Sequence, residues 1–398
     1  MVRGRFAPSP SGRMHLGNLF CALLSWLSVK SRGGEWILRI EDLDTDRCRP
    51  EYARQVEEDL RWLGLAWDEG GSTGGPDAPY FQSQRTALYE AALERLRGMG
   101  SVYPCFCTRA QLHAASAPHR EDGLTVYPGT CRGLTPEEIA RREASGRRGA
   151  LRLRVPEETV TFTDGHLGEL TEYLPTDCGD FLLRRSDGLF AYQLAVVVDD
   201  AAMGITEVVR GADLLSSTPR QLLLYELVGW EAPEFFHFPL LLSPDGRRLS
   251  KRDGDLGLAS LRERYTPEEI VGKLAYLAGL NPGGGPRTPE ELAQGFHWDA
   301  VPRQDIRLPE GLSGETKEER AMFLESERRQ VAAIGRRMSA EGLSNGTSGN
   351  LSIYVPEEGY MVLSPSGMRY EAILPVDVVV VTLAGKVAAG ARKPSSEW

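Results

Sequence analysis

The stretch RFAPSPSGRMHLG at residues 5–17 decides the fold, because it carries the chain from a short strand through a loop into a helix. Apolar residues alternate over Val2–Phe6, turn-forming Pro, Ser and Gly fill positions 7–12, and apolar residues recur at helical spacing between Leu16 and Leu27. A strand that leads directly into a helix is typical of α/β proteins. Their ligands bind at the carboxyl ends of the strands, so this loop is a candidate site.

The following residues continue the same alternation. A second strand-like run, WILRI at 36–40, leads into the acidic cluster EDLD at 41–44. Amphipathic helices are predicted at 51–65 and 85–97. We therefore expect a Rossmann-like α/β domain built on a parallel sheet.

Changes of composition predict the domain boundaries. A Cys-containing stretch punctuated by Pro and Gly interrupts the α/β pattern, and the sequences NPGGGPRTP and LPEGLSGETKEER mark the end of one unit and a linker. The predicted parts are a first half of the α/β domain at 1–99, an insertion at 100–185, a second half of that domain at 186–310, a linker at 311–318 and a separate α/β segment at 319–398.

Composition excludes several classes of protein. Hydrophobic residues make up 41% of the 398 residues and charged residues 26%, a balance typical of globular proteins. No apolar run approaches the ~18 residues of a membrane span, and the N-terminus lacks the layout of a signal peptide. We expect a cytoplasmic monomer without a membrane partner. The net charge of -10 does not exclude a nucleic-acid partner, because phosphates need only a local basic track.

Two separated segments form a candidate phosphate site. The loop before the first helix brings His15, Gly17 and Asn18 to a helix N-terminus, where backbone N–H groups and the helix dipole favour anions. Far downstream, Ser250 and Lys251 lie in a basic loop, in a chain where lysine is rare. Each segment also has a plain alternative, an ordinary turn before a helix and a solvated surface loop.

Together these segments resemble the HIGH and KMSKS signatures of class I aminoacyl-tRNA synthetases, and the resemblance is closest to the glutamyl branch. It rests on RFAPSPSGRMHLG at 5–17, LRIEDLD at 38–44, FAYQLAVVVDDAAMGITEVVRGADLLSSTPRQ at 190–221 and RRLSKRDG at 247–254. Asn18 replaces the second histidine of the HIGH pattern, and Arg248-Leu249 make the KMSKS pattern degenerate. The resemblance covers about residues 1–310 and implies ATP binding by His15, Gly17, Asn18, Ser250 and Lys251.

The amino-acid pocket can be argued from residue chemistry. Glutamate has two carboxylates and one ammonium, which match two arginines, Arg5 and Arg210, and one acid, Glu41. A structural ion pair between Arg5 and Glu41 is the alternative. The resemblance implies that the amino acid contacts Arg5, Phe6, Ala7, Pro8, Ser9, Glu41, Tyr192 and Arg210.

The resemblance implies a reaction without a protein nucleophile. The α-carboxylate of glutamate attacks the α-phosphate of ATP, which gives glutamyl-adenylate and pyrophosphate. His15 and Lys251 are the expected catalytic residues, because they would stabilise charge on the phosphates, and Mg²⁺ is the expected cofactor.

A cysteine cluster in the insertion predicts a structural Zn²⁺ site. Cys105, Cys107 and Cys131 would supply three thiolates to a tetrahedral ion. The resemblance implies Tyr127 as the fourth ligand, because glutamyl-Q synthetases carry C-x-C followed by Y-x3-C. His113 or His119 could serve on chemical grounds. Three reduced cysteines without a metal are the alternative.

The acceptor is inferred from the resemblance alone. Only about sixty residues follow Lys251 before the composition changes, where complete glutamyl-tRNA synthetases carry a large anticodon-binding part. The shortened glutamyl-Q tRNA(Asp) synthetases instead glutamylate queuosine in the anticodon loop of tRNA(Asp). L-glutamate, ATP and queuosine-containing tRNA(Asp) are therefore the expected partners. A synthetase that charges the 3′ end of tRNA and a non-catalytic glutamate- or tRNA-binding module are the alternatives.

The last eighty residues resemble the first part of class II, fuculose-phosphate-type aldolases. The matching stretches are GLSNGTSGNLS at 342–352, LSPSGMRYEAILPVDVVVV at 363–381 and KPSSEW at 393–398. The resemblance implies vestigial phosphate-site positions at Gly349, Asn350, Ser366, Gly367, Ser395 and Ser396, and an acid/base position at Glu397. The family's zinc-binding histidines would follow this point, so we expect no aldolase activity. Strands such as Asp377–Leu383 are expected to lack partners, and this segment to be mobile or prone to association.

Overall fold

The computed structural model describes residues 1–108, 111, 126–249, 257–309, 324–344, 349–356, 359–383, 387–390 and 392–395. These residues fall into two compact units, Met1–Leu308 and Pro309–Trp398. Within the described ranges, no helix has the length and apolarity needed to cross a membrane.

A parallel five-stranded sheet forms the centre of the first unit. Its strands are β1 (Arg3–Phe6), β2 (Glu35–Leu38), β3 (Glu69–Gly70), β9 (Glu207–Gly211) and β10 (Glu234–Phe238), and their order is β10-β9-β1-β2-β3. All neighbours in this sheet run parallel, which confirms the predicted α/β class. The chain order reverses between β1 and β9, and ligands of open α/β sheets bind at such a switch point.

The first helix, Leu16–Lys30, packs directly on this sheet. It buries eleven residues, which include Leu19, Phe20 and Leu23, as its apolar periodicity predicts. Gly4 in β1 permits the close approach, because a Cβ at this position would lie 2.4 Å from Cγ2 of Val29. The packing fixes the loop between strand and helix against the carboxyl end of β1.

The other α-helices in the described part of this unit are Pro50–Trp62, Thr86–Gly98, Pro136–Ala144, Tyr192–Ala202, Thr218–Val228, Leu258–Arg262, Pro267–Leu277 and Pro289–Ala293. The helices predicted at 51–65 and 85–97 agree with this structure to within a few residues. A core of Val, Leu and Phe side chains joins Tyr192–Ala202 and Thr218–Val228 to the sheet.

The insertion is largely antiparallel β-structure. Strands β4 (Val102–Cys105), β5 (Ala150–Leu153) and β8 (Phe181–Arg184) form one sheet, and β6 (Thr159–Asp164) pairs with β7 (Gly168–Tyr173) in a hairpin. A short pair, β11 (Leu241–Leu242) and β12 (Ile306–Arg307), follows the central sheet. Most of the segment 150–184 is therefore β-structure.

The second unit is a helix packed on an antiparallel sheet. The helix is Glu325–Ala340, and the sheet order is β13 (Ser352–Val355), β14 (Tyr360–Leu363), β15 (Val379–Thr382) and β16 (Val387–Ala389). The expectation that the strand within 377–383 lacks partners is wrong, because β15 pairs with both β14 and β16. Its Val380 is fully buried in a core with Val331.

Candidate active site

One cavity of about 530 Å³ opens at the switch point of the sheet. All predicted glutamate contacts and all described ATP contacts line it: Arg5, Phe6, Ala7, Pro8, Ser9, His15, Gly17, Asn18, Glu41, Tyr192 and Arg210. The two remaining ATP positions, Ser250 and Lys251, lie outside the described residues. Arg13 and Arg248 add two exposed guanidinium groups to the lining.

The topology of the sheet explains this convergence. Arg5 lies near the carboxyl end of β1 and Arg210 near that of β9, the two neighbouring strands at the reversal. Glu41 follows the end of β2 on the other side of β1, and Tyr192 begins a helix. Residues distant in sequence thus face one cavity because parallel strands end at the same edge.

Arg5 is held by an acid that the sequence did not identify. Its Nε lies 3.1 Å from a carboxylate oxygen of Asp200, and both side chains are buried. Burial lowers the pKa of Arg5, but the Asp200 carboxylate more than offsets this, and the pKa is raised above its ordinary value. Among the described residues, no hydrogen bond of the terminal nitrogens of Arg5 is seen, so its fork can accept a carboxylate.

Glu41 also has its own partner. Nη2 of Arg39 donates to its carboxylate at 3.3 Å, and Arg39 bonds Asp200 at 2.6 Å. Arg5 and Glu41 therefore pair with other residues, not with each other. Burial raises the pKa of Glu41, although Arg39 and Arg5 lower it. Arg39 and Asp200 were not predicted as site residues, although both are charges inside otherwise apolar runs and lie in the stretches 38–44 and 190–221 that carry the family resemblance.

Arg210 is fixed on several sides. Its Nη1 donates to Gln221 at 2.8 Å, its Nη2 to Thr218 at 2.9 Å, and its Nε to His237 at 2.9 Å. Burial lowers the pKa of Arg210. Burial also raises the pKa of the neighbouring Tyr192, so the Tyr192 hydroxyl stays protonated at neutral pH. A rigid cation beside a neutral hydroxyl suits a carboxylate ligand.

His15 sits at the N-terminus of the first helix as its cap. Its Nδ1 accepts from the amide of Gly17 at 3.1 Å, and its own amide donates to Asn18 at 3.1 Å, a reciprocal capping arrangement. The first turn contains no acidic residue, so the positive end of the helix dipole is not offset there. Phosphate oxygens would meet these groups on the same wall of the cavity.

The described residues on either side of the second predicted phosphate-binding segment lie close to the first segment. The amide of Leu258 donates to the carbonyl of Met14 at 3.2 Å, and Gly257 forms a β-bridge with His15. Arg248 and Leu249, before residues 250–256, line the same cavity as His15. The described residues that flank 250–256 therefore lie beside His15, with Arg248 and Leu249 as lining of the cavity and Gly257 as a bridge partner.

The cysteine cluster of the insertion has the dimensions of a zinc site. Sγ atoms of Cys105, Cys107 and Cys131 all lie within 4.8 Å of one another, and those of Cys107 and Cys131 are 3.6 Å apart. The Oη of Tyr127 lies 3.4 Å from Sγ of Cys105 and 3.7 Å from Sγ of Cys107. Tetrahedral ligands about 2.3 Å from zinc would be separated by similar distances. The alternative ligands His113 and His119 lie outside the described residues.

Neighbouring groups suit a charged cluster. The amide of Phe106 donates to Sγ of Cys131 at 3.4 Å, and the amide of Cys131 donates to Oη of Tyr127 at 2.8 Å. The Arg152 guanidinium carbon lies 3.8 Å from the centre of the Tyr127 ring. Backbone donors and a nearby cation stabilise thiolate and phenolate ligands, so these four residues fit a Zn²⁺ ion.

The aldolase-like positions of the second unit also come together. Ser395 donates to Oδ1 of Asn350, and the amide of Ser366 donates to the carbonyl of Lys393 at 2.9 Å. Gly349 and Gly367 adopt positive φ angles of 98° and 74°. Ser396 and Glu397 lie outside the described residues.

Comparison with known proteins agrees with this division. The catalytic-domain model of the class I tRNA synthetases (E and Q) matches residues 1–291. The model of the class II aldolase and adducin N-terminal domain matches residues 329–398.

Individual relatives match at high identity. A protein of Symbiobacterium thermophilum named glutamyl-Q tRNA(Asp) synthetase is 55% identical over 315 residues, which cover 78% of this chain and 96% of that protein. The glutamate–tRNA ligase 2 of Alkalilimnicola ehrlichii is 46% identical over 315 residues, which cover 77% of this chain and 65% of that ligase.

Solved structures share the fold. A glutamate tRNA ligase from Elizabethkingia meningosepticum, solved in complex with its amino acid, superposes with a TM-score of 0.68 and 30% identity, over 86% of this chain and 74% of that one. The family match spans well over half of the chain, and the site described above lies within it. The chain is therefore a ligase that belongs to the class I tRNA synthetases of the glutamyl and glutaminyl family.

Proposed function

We propose that this protein activates L-glutamate with ATP and transfers the glutamyl group to queuosine in the anticodon loop of tRNA(Asp). The observation that carries the proposal is the meeting of Arg5, Arg210 and Glu41 in one cavity with the helix N-terminus at His15. The arginines complement the two carboxylates of glutamate, and Glu41 complements its ammonium. The same cavity extends to the wall that suits a polyphosphate.

In the first step, an oxygen of the glutamate α-carboxylate forms a bond to the α-phosphorus of ATP. The bond to the bridging oxygen breaks, and pyrophosphate leaves. The protein contributes alignment, since Arg5 and Arg210 hold the amino acid while His15 and Lys251 stabilise charge on the phosphates. Mg²⁺, the expected cofactor, would supply further charge neutralisation at the phosphates.

In the second step, a hydroxyl oxygen of the queuosine cyclopentene ring attacks the acyl carbon of the adenylate, and AMP leaves. The coverage of the relatives supports this acceptor, because the match spans 96% of the glutamyl-Q tRNA(Asp) synthetase and 65% of the glutamate–tRNA ligase. Transfer to the 3′ end of tRNA is the second candidate, and the 46% identity to that ligase favours it.

We assign the zinc to a structural role. Cys105, Cys107, Tyr127 and Cys131 offer four ligands, so a bound ion would have no open position for a substrate. The ion would tie the end of β4 to the segment 127–131 and so hold the insertion together.

Pyrophosphate exchange into ATP tests the first step. We expect glutamate-dependent exchange without tRNA, and strict dependence on tRNA would favour the conventional synthetase. Transfer of labelled glutamate is then compared on tRNA(Asp) with and without queuosine, and on tRNA(Glu). Labelling of tRNA(Glu) in preference to queuosine-containing tRNA(Asp) would contradict the proposed acceptor.

Variants of the basic loop test the ATP assignment. Lys251→Ala is expected to lower exchange by about 10²–10³-fold, as the loss of one charge-stabilising donor does. Lys273→Ala is the matched control, because the Lys273 ammonium lies against the Tyr265 ring and does not line the cavity. Equal pyrophosphate exchange rates in Lys251→Ala and Lys273→Ala would show that Lys251 does not act on ATP.

A further inference from the structure

Arg210 has a buried histidine as its neighbour in the sheet. His237 in β10 is the register partner of Arg210 in β9, so the two side chains stand side by side on parallel strands. The Nε of Arg210 lies 2.9 Å from Nε2 of His237. The exposed fractions are 3% for Arg210 and 0% for His237, so water does not compete for this contact.

The second nitrogen of the imidazole meets an acid from the insertion. Nδ1 of His237 lies 2.6 Å from Oδ2 of Asp164, the last residue of β6. The other carboxylate oxygen accepts from the amides of His166 at 3.0 Å and Leu167 at 2.9 Å. Burial alone raises the pKa of Asp164, but His237 and these backbone donors lower it below its ordinary value, so the carboxylate stays ionised.

These contacts determine which imidazole nitrogen carries the proton. An ionised carboxylate only accepts, so Nδ1 of His237 donates to Asp164. Arginine only donates, so Nε2 of His237 accepts from Arg210. The chain Asp164–His237–Arg210 is therefore ordered in one direction, and the hairpin β6–β7 reaches from the insertion to the substrate pocket.

The guanidinium of Arg210 has five N–H groups, and this arrangement uses three of them. His237, Thr218 and Gln221 take one N–H each, from Nε, Nη2 and Nη1 respectively. One N–H on each terminal nitrogen is not committed to these three partners, and the hydroxyl of Tyr192, which also lines the cavity, lies within hydrogen-bonding reach of the guanidinium. Two such N–H groups on adjacent nitrogens are the fork that binds a carboxylate in bidentate fashion.

We propose that Asp164 and His237 are positioning residues that orient the Arg210 fork toward the carboxylate of the amino-acid substrate. This inference rests on the proposed function, because it takes glutamate as the ligand of Arg210. A purely structural buried pair is the alternative. The two differ in their effects, since a positioning role acts on amino-acid binding and leaves ATP binding unchanged.

Two substitutions at one position separate the roles. His237→Gln places an amide oxygen where Nε2 lies and can still accept from Arg210. His237→Asn is shorter and reaches only the Asp164 side. We expect His237→Asn to raise the KM for glutamate by about 10- to 100-fold, the worth of a hydrogen bond to a charged group, whereas His237→Gln recovers most of this loss. The KM for ATP is expected to stay within about twofold in both.

Asp164→Asn gives a second test that keeps the size of the side chain. An amide can donate to Nδ1 of His237, which moves the ring proton to Nε2 and sets it against the Nε–H of Arg210. The same rise in the KM for glutamate is expected. The double variant Asp164→Asn/His237→Asn is expected to be no worse than His237→Asn, because both changes break one chain of contacts.

The readouts are pyrophosphate exchange and the shift of the melting temperature by glutamate. Equal KM values for glutamate in His237→Asn, His237→Gln and the parent protein would overturn the inference. Additive effects in the double variant would also overturn it, and so would a rise in the KM for ATP as large as the rise in the KM for glutamate. If the parent protein shows no glutamate-dependent exchange, the proposed function fails instead. Should His237→Asn not fold, Asp164→Asn decides the question by the same measurements.

Discussion

The imidazole of His15 and the amide of Gly17 are joined by a hydrogen bond of 3.1 Å, in which Nδ1 accepts. A neutral imidazole that accepts at Nδ1 carries its proton on Nε2. The helix cap therefore fixes the tautomer that can donate to a phosphate oxygen. Gly17 also leaves room for the imidazole, since a Cβ there would lie 3.0 Å from Cε1 of His15.

Gly17→Ala should displace the imidazole of His15. We expect a fall in pyrophosphate exchange of about 10²-fold, as for the loss of one donor to developing charge, while the fold is retained. Gly98→Ala is the matched control, because it lies in a helix and a Cβ would have no neighbour within 4 Å. Similar exchange in both variants would show that the ring position does not matter.

Asp200→Asn should damage both stability and substrate binding. Asp200 is the shared partner of Arg5 and Arg39, and all three side chains are at most 5% exposed. Removal of the charge leaves the buried Arg5 without its acidic partner and Arg39 with Glu41 and Asp199, and we expect a loss of about 3–5 kcal/mol in the free energy of unfolding. Urea denaturation measures this loss.

The control for Asp200 is an exposed pair on a helix surface. Glu94 binds Arg97 three residues later, and both side chains are largely exposed. Glu94→Gln is expected to change the free energy of unfolding by less than about 1 kcal/mol. A loss for Asp200→Asn as small as this would mean that the buried network is already compensated by other groups.

Much of this architecture is predictable from sequence, because local patterns determine it. Helix 16–30 and strands β1 and β2 follow directly from apolar spacing. Four short motifs likewise identify the residues that line the cavity. The residues that hold the cavity-lining side chains in place are not predictable in this way. The contacts of Asp200 with Arg39 and of Asp164 with His237 join residues that are far apart in sequence and that only the tertiary structure brings together.

The error over β15 has a physical cause as well. The segment was expected to stop before its sheet could be completed. Its actual partners are β14 and β16, which are close in sequence and pair with it in antiparallel fashion. Antiparallel strands need only short connections, so a segment of this length can complete its own sheet.

Removal of zinc should loosen the insertion and leave the central sheet folded. We expect one zinc per chain in the parent protein by elemental analysis. Cys131→Ser is expected to lower zinc affinity by more than the ~10–100-fold typical of outer-shell changes, because it removes a ligand. Cys178→Ser is the control, since Cys178 is buried but lies outside the cluster.

The fourth zinc ligand can be identified by substitution. Tyr127→Phe keeps the ring beneath Arg152 and removes only the oxygen near the cysteines. We expect weaker zinc binding in Tyr127→Phe and unchanged binding in His113→Ala and His119→Ala. The opposite pattern would transfer the ligand role to a histidine.

The stability of the first unit should depend on pH through His237. Burial lowers the pKa of His237, although Asp164 and Asp213 raise it, and Arg210 lowers it further. Below about pH 6.5 an unfolded histidine takes up a proton while the folded one resists. The free energy of unfolding should therefore fall as the pH drops from about 6.5, and His237→Gln should lack this component. Parallel pH curves for both proteins would contradict the prediction.

Hydrogen exchange should rank the strands of the second unit by their position in the sheet. Val379–Thr382 form β15, one of the two inner strands, which is bonded on both sides, whereas Ser352–Val355 form β13, which pairs only with β14 among the described strands. A strand that is hydrogen-bonded to a neighbouring strand on each side undergoes local unfolding rarely. The backbone amides of β15 are therefore expected to exchange more slowly than those of β13. Val380→Ala should speed exchange throughout this sheet, because it leaves a cavity against Val331 in the shared core. If β15 exchanged as fast as β13, the pairing of β15 with β14 and β16 would not persist in solution, and the original expectation of a mobile segment would stand.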